Sequence, residues 1–381
     1  MSFLPKSYDI IIVGAGPSGS TCATLLARGG AHVLLLEKSS FPRDKTCGDF
    51  ISARLKDNLE KSNLCPPLKG THPGAVSDLL FSHPKAGSFT LSRPPAQGFI
   101  CKRKAFDHLL FEQAQAKVDG LTNMPVKKLL FEGKQIVGVQ TADQTFRAKI
   151  VVGADGANGI TARALGVPTF DENHNAVAIR AYYNQIEGIG DTAELHFLDE
   201  VQPGYFWIFP LNPATGEANV GLGLLSRQVR YGNVQLKQLL ERIIATHPLF
   251  AQRFCRSECL SPIKGWSLPF GSKKRPVAFP GAVLLGDAAG LIDPMSGEGI
   301  ENGIRSAQCA APVLLQSLAA GNYSKEFLMQ YQRNLEDLLR NELRQSYWIQ
   351  KLCRNKIMLK GFFKVLQHSE RARKVLADKF F

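Results

Sequence analysis

The sequence predicts an α/β protein in which a Rossmann-like nucleotide-binding domain is interrupted by a sheet-rich insertion and followed by a helical C-terminal segment. Three observations predict this. A β-branched run at residues 8–13 leads straight into Gly14-Ala15-Gly16-Pro17-Ser18-Gly19, a GxGxxG spacing. Two more glycine-rich turns, at 152–156 and 285–290, each follow a short apolar strand pattern. Between them, after Pro168, the texture changes to a series of longer strands that reads as a separate sheet.

Residues 8–13 form the first strand because Ile10, Ile11 and Ile12 are β-branched. Residues 18–28 have helix-forming composition and stop at Gly29-Gly30, a C-cap signal. Residues 31–36 make the second strand and close on Glu37, which completes a β-α-β unit. A loop at 39–50 precedes a helix at 52–61. The stretch 66–95 is rich in Pro, Gly and Ser, with strands expected at 76–81 and 88–91. A helix follows at 103–116, then strands at 126–131, 136–141 and 150–152, and a helical turn at 160–165. The longer strands fall at 176–183, 193–197, 205–210 and 218–224. A buried strand at 283–285 precedes the last glycine turn, and from Ile300 onward the chain reads as helical. The expected domains are 1–65, 98–170 and 275–320 for the nucleotide, 66–97 and 171–274 for the substrate sheet, and 321–381 for the helical segment.

Composition excludes several classes. The chain has 381 residues, with 44% hydrophobic and 21% charged, which is ordinary globular usage and not that of a disordered chain or a collagen. No stretch approaches the roughly 18 unbroken apolar residues of a membrane span, and the N-terminal apolar run lacks the cleavage site of a secretory signal. The eight cysteines include no CxxC pair, so neither a disulfide framework nor a zinc site is expected, and no metal. Net charge is +13. A basic chain invites a nucleic-acid reading, but residues 351–381 hold nine Lys or Arg against two acids, so more than half the surplus sits on the tail. There Ile349, Leu352, Cys353, Leu359, Phe363 and Leu366 recur at helical spacing, flanked by Lys356, Lys360 and Lys364. That pattern fits a membrane-surface helix and equally a helical lobe packed on the core. Gly361 weakens a helix by about 1 kcal/mol relative to Ala, which allows two shorter helices. No nucleic-acid partner is expected. The expected location is cytoplasmic, with peripheral contact at the inner face of the membrane.

The glycine motif explains itself physically. Gly14 permits the tight turn, Gly16 lets the backbone approach a pyrophosphate, and Gly19 allows close helix–strand packing. A helix starting near Pro17 and Ser18 aims its amides at the phosphates. Glu37, with Lys38 and Arg43 beyond it, stands where a carboxylate binds both ribose hydroxyls. This motif alone does not separate NAD from FAD.

Two further segments do. Val152-Gly153-Ala154-Asp155-Gly156, and Gly286-Asp287 running through Asp293-Pro294-Met295-Ser296-Gly297-Glu298-Gly299-Ile300, make the chain resemble the FAD-dependent oxidoreductases built like aromatic-ring hydroxylases. The resemblance implies an FAD-binding domain in which Asp287 bonds the ribityl chain, Pro294, Gly297, Gly299 and Ile300 face the flavin ring, and Arg103 reaches the cofactor. Asp155 and Gly156 belong to the same site, although Asp155 also reads as an ordinary turn residue. Gly159 stands where relatives often carry serine, which implies a lost side-chain hydrogen bond.

Tyr205-Phe206-Trp207-Ile208-Phe209-Pro210 followed by Gly221-Leu222-Gly223, and the segment Lys45-Thr46-Cys47-Gly48-Asp49, resemble the geranylgeranyl reductase branch. Flavin halogenases differ at both places. The resemblance implies saturation of isoprenoid double bonds, with Tyr205, Trp207 and Phe209 lining the substrate slot and Cys47 and Gly48 near the flavin. The same three aromatics alternate along a strand and so also fit a plain core face. Arg43 and Lys45 make a setting that favours a Cys47 thiolate. The catalytic candidates are Cys47, Tyr205 and Trp207, and the proton donor is left open among Cys47, Tyr205 and water. No second Rossmann motif serves NADPH, so electrons come from transiently bound NADPH or from a protein donor. The competing readings are an FAD monooxygenase, a halogenase and a non-catalytic flavoprotein at a membrane surface.

Overall fold

The computed structural model describes residues 6–64, 74–92, 98–168 and 170–380. Cys65 and parts of the Pro- and Gly-rich stretch lie outside the described residues. The chain divides into two compact units. Met1–Arg43, Asp107–His174 and Leu268–Tyr347 form the first; Asp44–Phe106, Asn175–Ser267 and Trp348–Phe381 form the second. The segment 321–381 is therefore shared between them.

The first unit is built on a sheet whose strands run in the order Ala278–Phe279, Ala282–Leu284, Thr145–Gly153, Lys6–Val13, Val33–Leu36 and Asp119–Leu121. The last five are parallel, with Ile10 beside Ile150 and Val33. Ile10, Ile12, Leu35 and Val152 share one core with the apolar residues of helices Pro17–Arg28 and Ile300–Ala320, while Ile11, Leu34 and Val151 belong to a second core. Both faces are covered, which is why these strands read as unbroken apolar runs. The parallel register brings the three glycine turns to one end, the carboxyl ends of the strands.

The second unit carries a separate sheet in the order Glu258–Cys259, Asn175–Asn184, Glu217–Leu225, Tyr205–Asn212, Thr192–His196, Asp78–His83 and Gly87–Ser92. Alternate residues point to opposite faces. Ile179, Phe206, Ile208 and Leu222 pack with Leu236, Leu240 and Ile243 of helix Leu236–Thr246. Arg180, Tyr182, Asn219, Gly221, Tyr205, Trp207 and Phe209 fall on the other face, because Trp207 and Arg180 both register with Gly221, and Phe209 and Tyr182 with Asn219.

The tail breaks at a different place from the one Gly361 suggested. Helix Lys356–His368 runs through Gly361, and the break falls before it, where the Asn355 side chain accepts from the amides of Ile357 and Met358. Leu359, Phe363 and Leu366 are buried, with the Phe363 ring 5.3 Å from Phe89 and 5.5 Å from Phe197. The packed-lobe reading thus accounts for that apolar stripe. Leu352, by contrast, is exposed.

Candidate functional site

In the first unit two glycines of the fingerprint, Gly14 and Gly19, have a steric cause. Gly14 has φ +101°, and a Cβ there would lie 2.4 Å from the Ala154 carbonyl. At Gly19 a Cβ would meet the Gly14 carbonyl at 1.9 Å. At Gly16 a Cβ would meet only the Arg43 guanidinium, at 3.8 Å, so this side of the loop stays approachable. Helix Pro17–Arg28 has Pro17 in its first turn and no side-chain cap, which leaves its amides and dipole to a ligand.

Glu37 is buried. It accepts from the Ala15 amide at 3.1 Å and the Ser39 amide at 3.2 Å, and pairs with Arg43 at 3.4 Å. Arg43 also bonds Asp107 at 2.8 Å. The Ser18 hydroxyl lies where a Cβ at either Gly286 or Gly303 would come within 2.4 Å. Ser18 therefore acts as a wedge that joins the first glycine turn to the third.

Asp287, in the turn Gly286–Ala288, approaches Gly299 closely, since a Cβ there would sit 3.0 Å from its Oδ1. The loop before Gly299 is folded on Asp293, whose Oδ1 accepts from the amides of Met295 and Ser296 at 2.9 Å. Gly297 has φ +74°, and the adjacent Pro294 is buried. Ile300 then opens a 21-residue helix with no side-chain cap, so its N-terminal amides are fixed donors for developing negative charge.

Asp155 is turned inward. It accepts from the Thr161 amide at 3.0 Å and from the Thr161 hydroxyl, and burial pushes its carboxyl up. A Cβ at Gly159 would lie 2.2 Å from this carboxyl group, so glycine there makes room for Asp155 to cap the following turn. Gly156, at φ +80°, faces open space.

These residues fit the FAD that the resemblance implies. Ala157, Asp287, Ala288 and Gly290 line a small cavity with Arg275. Arg275 is buried and bonds the carbonyls of Phe270 at 2.9 Å and Pro168 at 3.3 Å, yet its Nη2 has no hydrogen-bond partner among the described residues. An unpaired guanidinium nitrogen lining the same cavity as Asp287 suits a polar, anionic group. FAD would be held by the 14–19 loop, Glu37, Asp287 and the helix beginning at Ile300. Lys38, expected with them, is exposed.

The second unit brings Cys47, Gly48, Arg103, Trp207 and Phe209 together. A Cβ at Gly48 would lie 2.9 Å from the Phe209 ring and 3.9 Å from Trp207 Nε1, so the Cys47–Gly48 turn rests on the aromatic strand. The Trp207 centroid is 6.1 Å from Phe209 and 6.0 Å from Tyr205. Trp207 Nε1 donates to Asn219 Oδ1 at 2.9 Å. Asn219 Nδ2 donates to the Cys47 carbonyl and to Asp49 Oδ2, each at 2.8 Å. Tyr182 donates its hydroxyl to the same Asp49 oxygen at 2.6 Å. The Arg103 amide lies 3.4 Å from the other oxygen.

Asp49 is fully buried and sits in the left-handed region at φ +65°, at a cost of about 1–2 kcal/mol for a residue with a Cβ. Burial raises its pKa to about 6 against the opposing pull of Tyr182, Arg180 and Asn219. Arg180 is fully buried too, stacked 4.3 Å over the Tyr182 ring and paired with Asp44.

One expectation is corrected here. Cys47 is not biased toward the thiolate: burial, with Asp49, pushes the thiol up, outweighing Arg103 and Lys45. Arg43 is engaged by Glu37 and Asp107. Sequence reasoning missed Asp49, Tyr182, Arg180 and Asn219. The usable signal was an arginine inside the apolar strand Asn175–Asn184, since charge is rarely buried without a purpose. The seven described cysteines are free thiols, and no metal-binding cluster occurs among the described residues.

The model of the FAD binding domain family matches residues 7–346. A digeranylgeranylglycerophospholipid reductase of Thermoplasma volcanium is 29% identical over 91% of this chain and 87% of its own length. A menaquinone reductase of Mycobacterium tuberculosis is 30% identical, over 84% of this chain and 82% of its own. Among solved structures, a geranylgeranyl bacteriochlorophyll reductase-like protein of Thermoplasma acidophilum superposes with TM-score 0.87 at 24% identity, covering 99% of this chain and 97% of that one. A flavin-dependent brominase superposes at 0.81 with 18% identity, covering 98% and 93%; this likeness concerns the fold alone.

Proposed function

The chain belongs to the geranylgeranyl reductase family of FAD-dependent oxidoreductases, and from that premise we propose that it saturates carbon–carbon double bonds in the isoprenoid chain of a lipophilic molecule. The observation that carries this reading is the aromatic wall of Tyr205, Trp207 and Phe209 with the Cys47–Gly48 turn seated on it. An apolar aromatic surface binds a hydrocarbon chain by area and shape.

Bound FAD, once reduced, supplies the hydride for one alkene carbon. The chain's residues do the rest. Tyr205, Trp207 and Phe209 orient the polyprenyl chain and exclude water. Cys47, kept as the thiol by burial, gives its Sγ proton to the second carbon. Glu37, Asp287 and the helix beginning at Ile300 hold the cofactor.

Location at a membrane surface belongs to the same reading. No helix among the described residues is long and apolar enough to cross a membrane, so we assign lipid contact to the exposed Trp348, Leu352, Ile357 and Met358 with the bases around them.

Anaerobic photoreduction of the flavoprotein, followed by addition of a polyprenylated lipid or menaquinone, tests the activity without assuming NADPH or a protein donor. Reoxidation of the flavin with a product two mass units heavier is expected. A strict oxygen requirement with a hydroxylated product would replace this reading with a monooxygenase.

A further inference from the structure

We propose that Asp49 and Asn219 are positioning residues for Cys47, fixing the thiol-bearing turn against Trp207 and keeping the proton on its sulfur. The proposal rests on the reading above, in which Cys47 and Trp207 face the double bond.

The geometry is that of a saturated three-way clamp. A side-chain amide offers two donors and an acceptor, and Asn219 uses all three, two on the Cys47–Asp49 turn and one on Trp207. Its Oδ1 takes the Trp207 indole N–H at 2.9 Å; its Nδ2 reaches the Cys47 carbonyl and Asp49 Oδ2, both at 2.8 Å. Asn219 is fully buried, so no water replaces a lost partner. Asp49 is pinned in turn: its Oδ2 takes the Tyr182 hydroxyl at 2.6 Å and its carbonyl takes the Cys101 amide at 2.9 Å. Its own amide hydrogen-bonds the Cys47 sulfur. The buried Asp49 carboxyl thus joins strands Asn175–Asn184 and Glu217–Leu225, and Asn219 carries the link on to Trp207.

The charges around the thiol oppose one another. Arg103, the Asp49 amide and Lys45 favour the thiolate, while burial and the Asp49 carboxylate oppose it. Arg180 is paired with Asp44, which also meets Lys264, and Lys102 is paired with Glu217. Removing the charge of Asp49 while keeping its shape leaves Arg103 and Lys45 acting on the sulfur with less opposition. A purely structural role for Asp49 gives no such directed change.

The test is the pH dependence of iodoacetamide alkylation at Cys47, located by mass spectrometry, in FAD-loaded protein. In Asp49→Asn the midpoint is expected to fall by about one pH unit, which at pH 7 makes alkylation roughly tenfold faster. In Asn219→Ala the turn is released, so Cys47 is expected to react severalfold faster at every pH. An unmoved midpoint in folded Asp49→Asn would overturn the electrostatic role. An unchanged rate in Asn219→Ala would overturn the clamp, and decides alone if Asp49→Asn does not fold. Neither measurement uses a substrate, so failure here is distinct from failure to reduce a double bond.

Discussion

The Trp207 ring lies directly over Gly221: a Cβ there would come within 2.4 Å of the ring and 2.3 Å of the Ile179 carbonyl. The strand Glu217–Leu225 pairs with Tyr205–Asn212 so that these two residues are opposite one another. Glycine is therefore what lets the indole settle onto the sheet and reach Asn219. Gly221→Ala should lift the ring and break that hydrogen bond, with an overpacking cost of about 1–3 kcal/mol. We expect alkene reduction to fall at least tenfold while the flavin content stays near that of the wild type. A variant that keeps full activity would show that the seat of Trp207 is not needed for turnover.

Glu37→Ala should weaken FAD binding. The carboxylate anchors the glycine loop through Ala15 and is bonded by Arg43, and it stands where the adenosine ribose is expected. Loss of charge-assisted hydrogen bonds of about 1.5–3 kcal/mol corresponds to roughly a ten- to hundredfold weaker complex. Titration of apoprotein with FAD, read by quenching of flavin fluorescence, measures this directly. Acid should release FAD rather than FMN from the wild type. Unchanged affinity in the variant would move the cofactor away from Glu37.

Asp49 makes stability depend on pH. Its folded pKa lies near 6 against 3.8 unperturbed, so the folded chain binds this proton more tightly than the unfolded chain does. Its contribution is thus most favourable below pH 4 and is lost as pH rises through 4 to 6. A difference of about two pKa units corresponds to about 3 kcal/mol. Asp49→Asn lacks this titration. Its stability relative to the wild type should therefore improve by about that amount between pH 4 and pH 7, measured by urea unfolding of both proteins across the range. A constant difference between them would mean that Asp49 does not titrate there.

Legibility in the sequence followed the range of the interactions. The parallel sheet was readable because its strands are short apolar runs punctuated by glycine, a local spacing that shows even though Gly14 meets the distant Ala154 and Gly286 the distant Ser18. The aromatic strand was readable for the same reason. The Asp49 cluster was not, because its bonds join residues 133 and 170 positions apart, and no periodicity encodes such a meeting. Helix Leu236–Thr246 went unread although Leu236, Leu239, Leu240 and Ile243 follow helical spacing and are all buried. In the tail, the stripe through Leu359 and Phe363 was visible, but only packing decides that it faces protein.

That packing changes what the tail offers a membrane. With Leu359, Phe363 and Leu366 buried, the exposed apolar side chains nearest the break between helices Lys325–Cys353 and Lys356–His368 are Trp348, Leu352, Ile357 and Met358. Ile357 is 79% exposed, an unusual state for a large aliphatic side chain. Lys351 stands over the Trp348 ring at 4.9 Å, and Arg354 and Lys356 adjoin. Aromatic and aliphatic side chains ringed by bases suit the headgroup boundary of an anionic bilayer. Each base near such a surface contributes about 1 kcal/mol, and salt screens it. Sedimentation with vesicles should therefore be strong with anionic lipid at low salt, weaker at high salt, and weakest with neutral lipid. Replacing Trp348 and Ile357 by serine should reduce binding under all conditions, because the apolar part is not screened, while leaving FAD content unchanged. If neither the wild type nor the variant sediments with any vesicle, the tail serves only as a helical lobe of the second unit and the lipid substrate reaches the enzyme by another route.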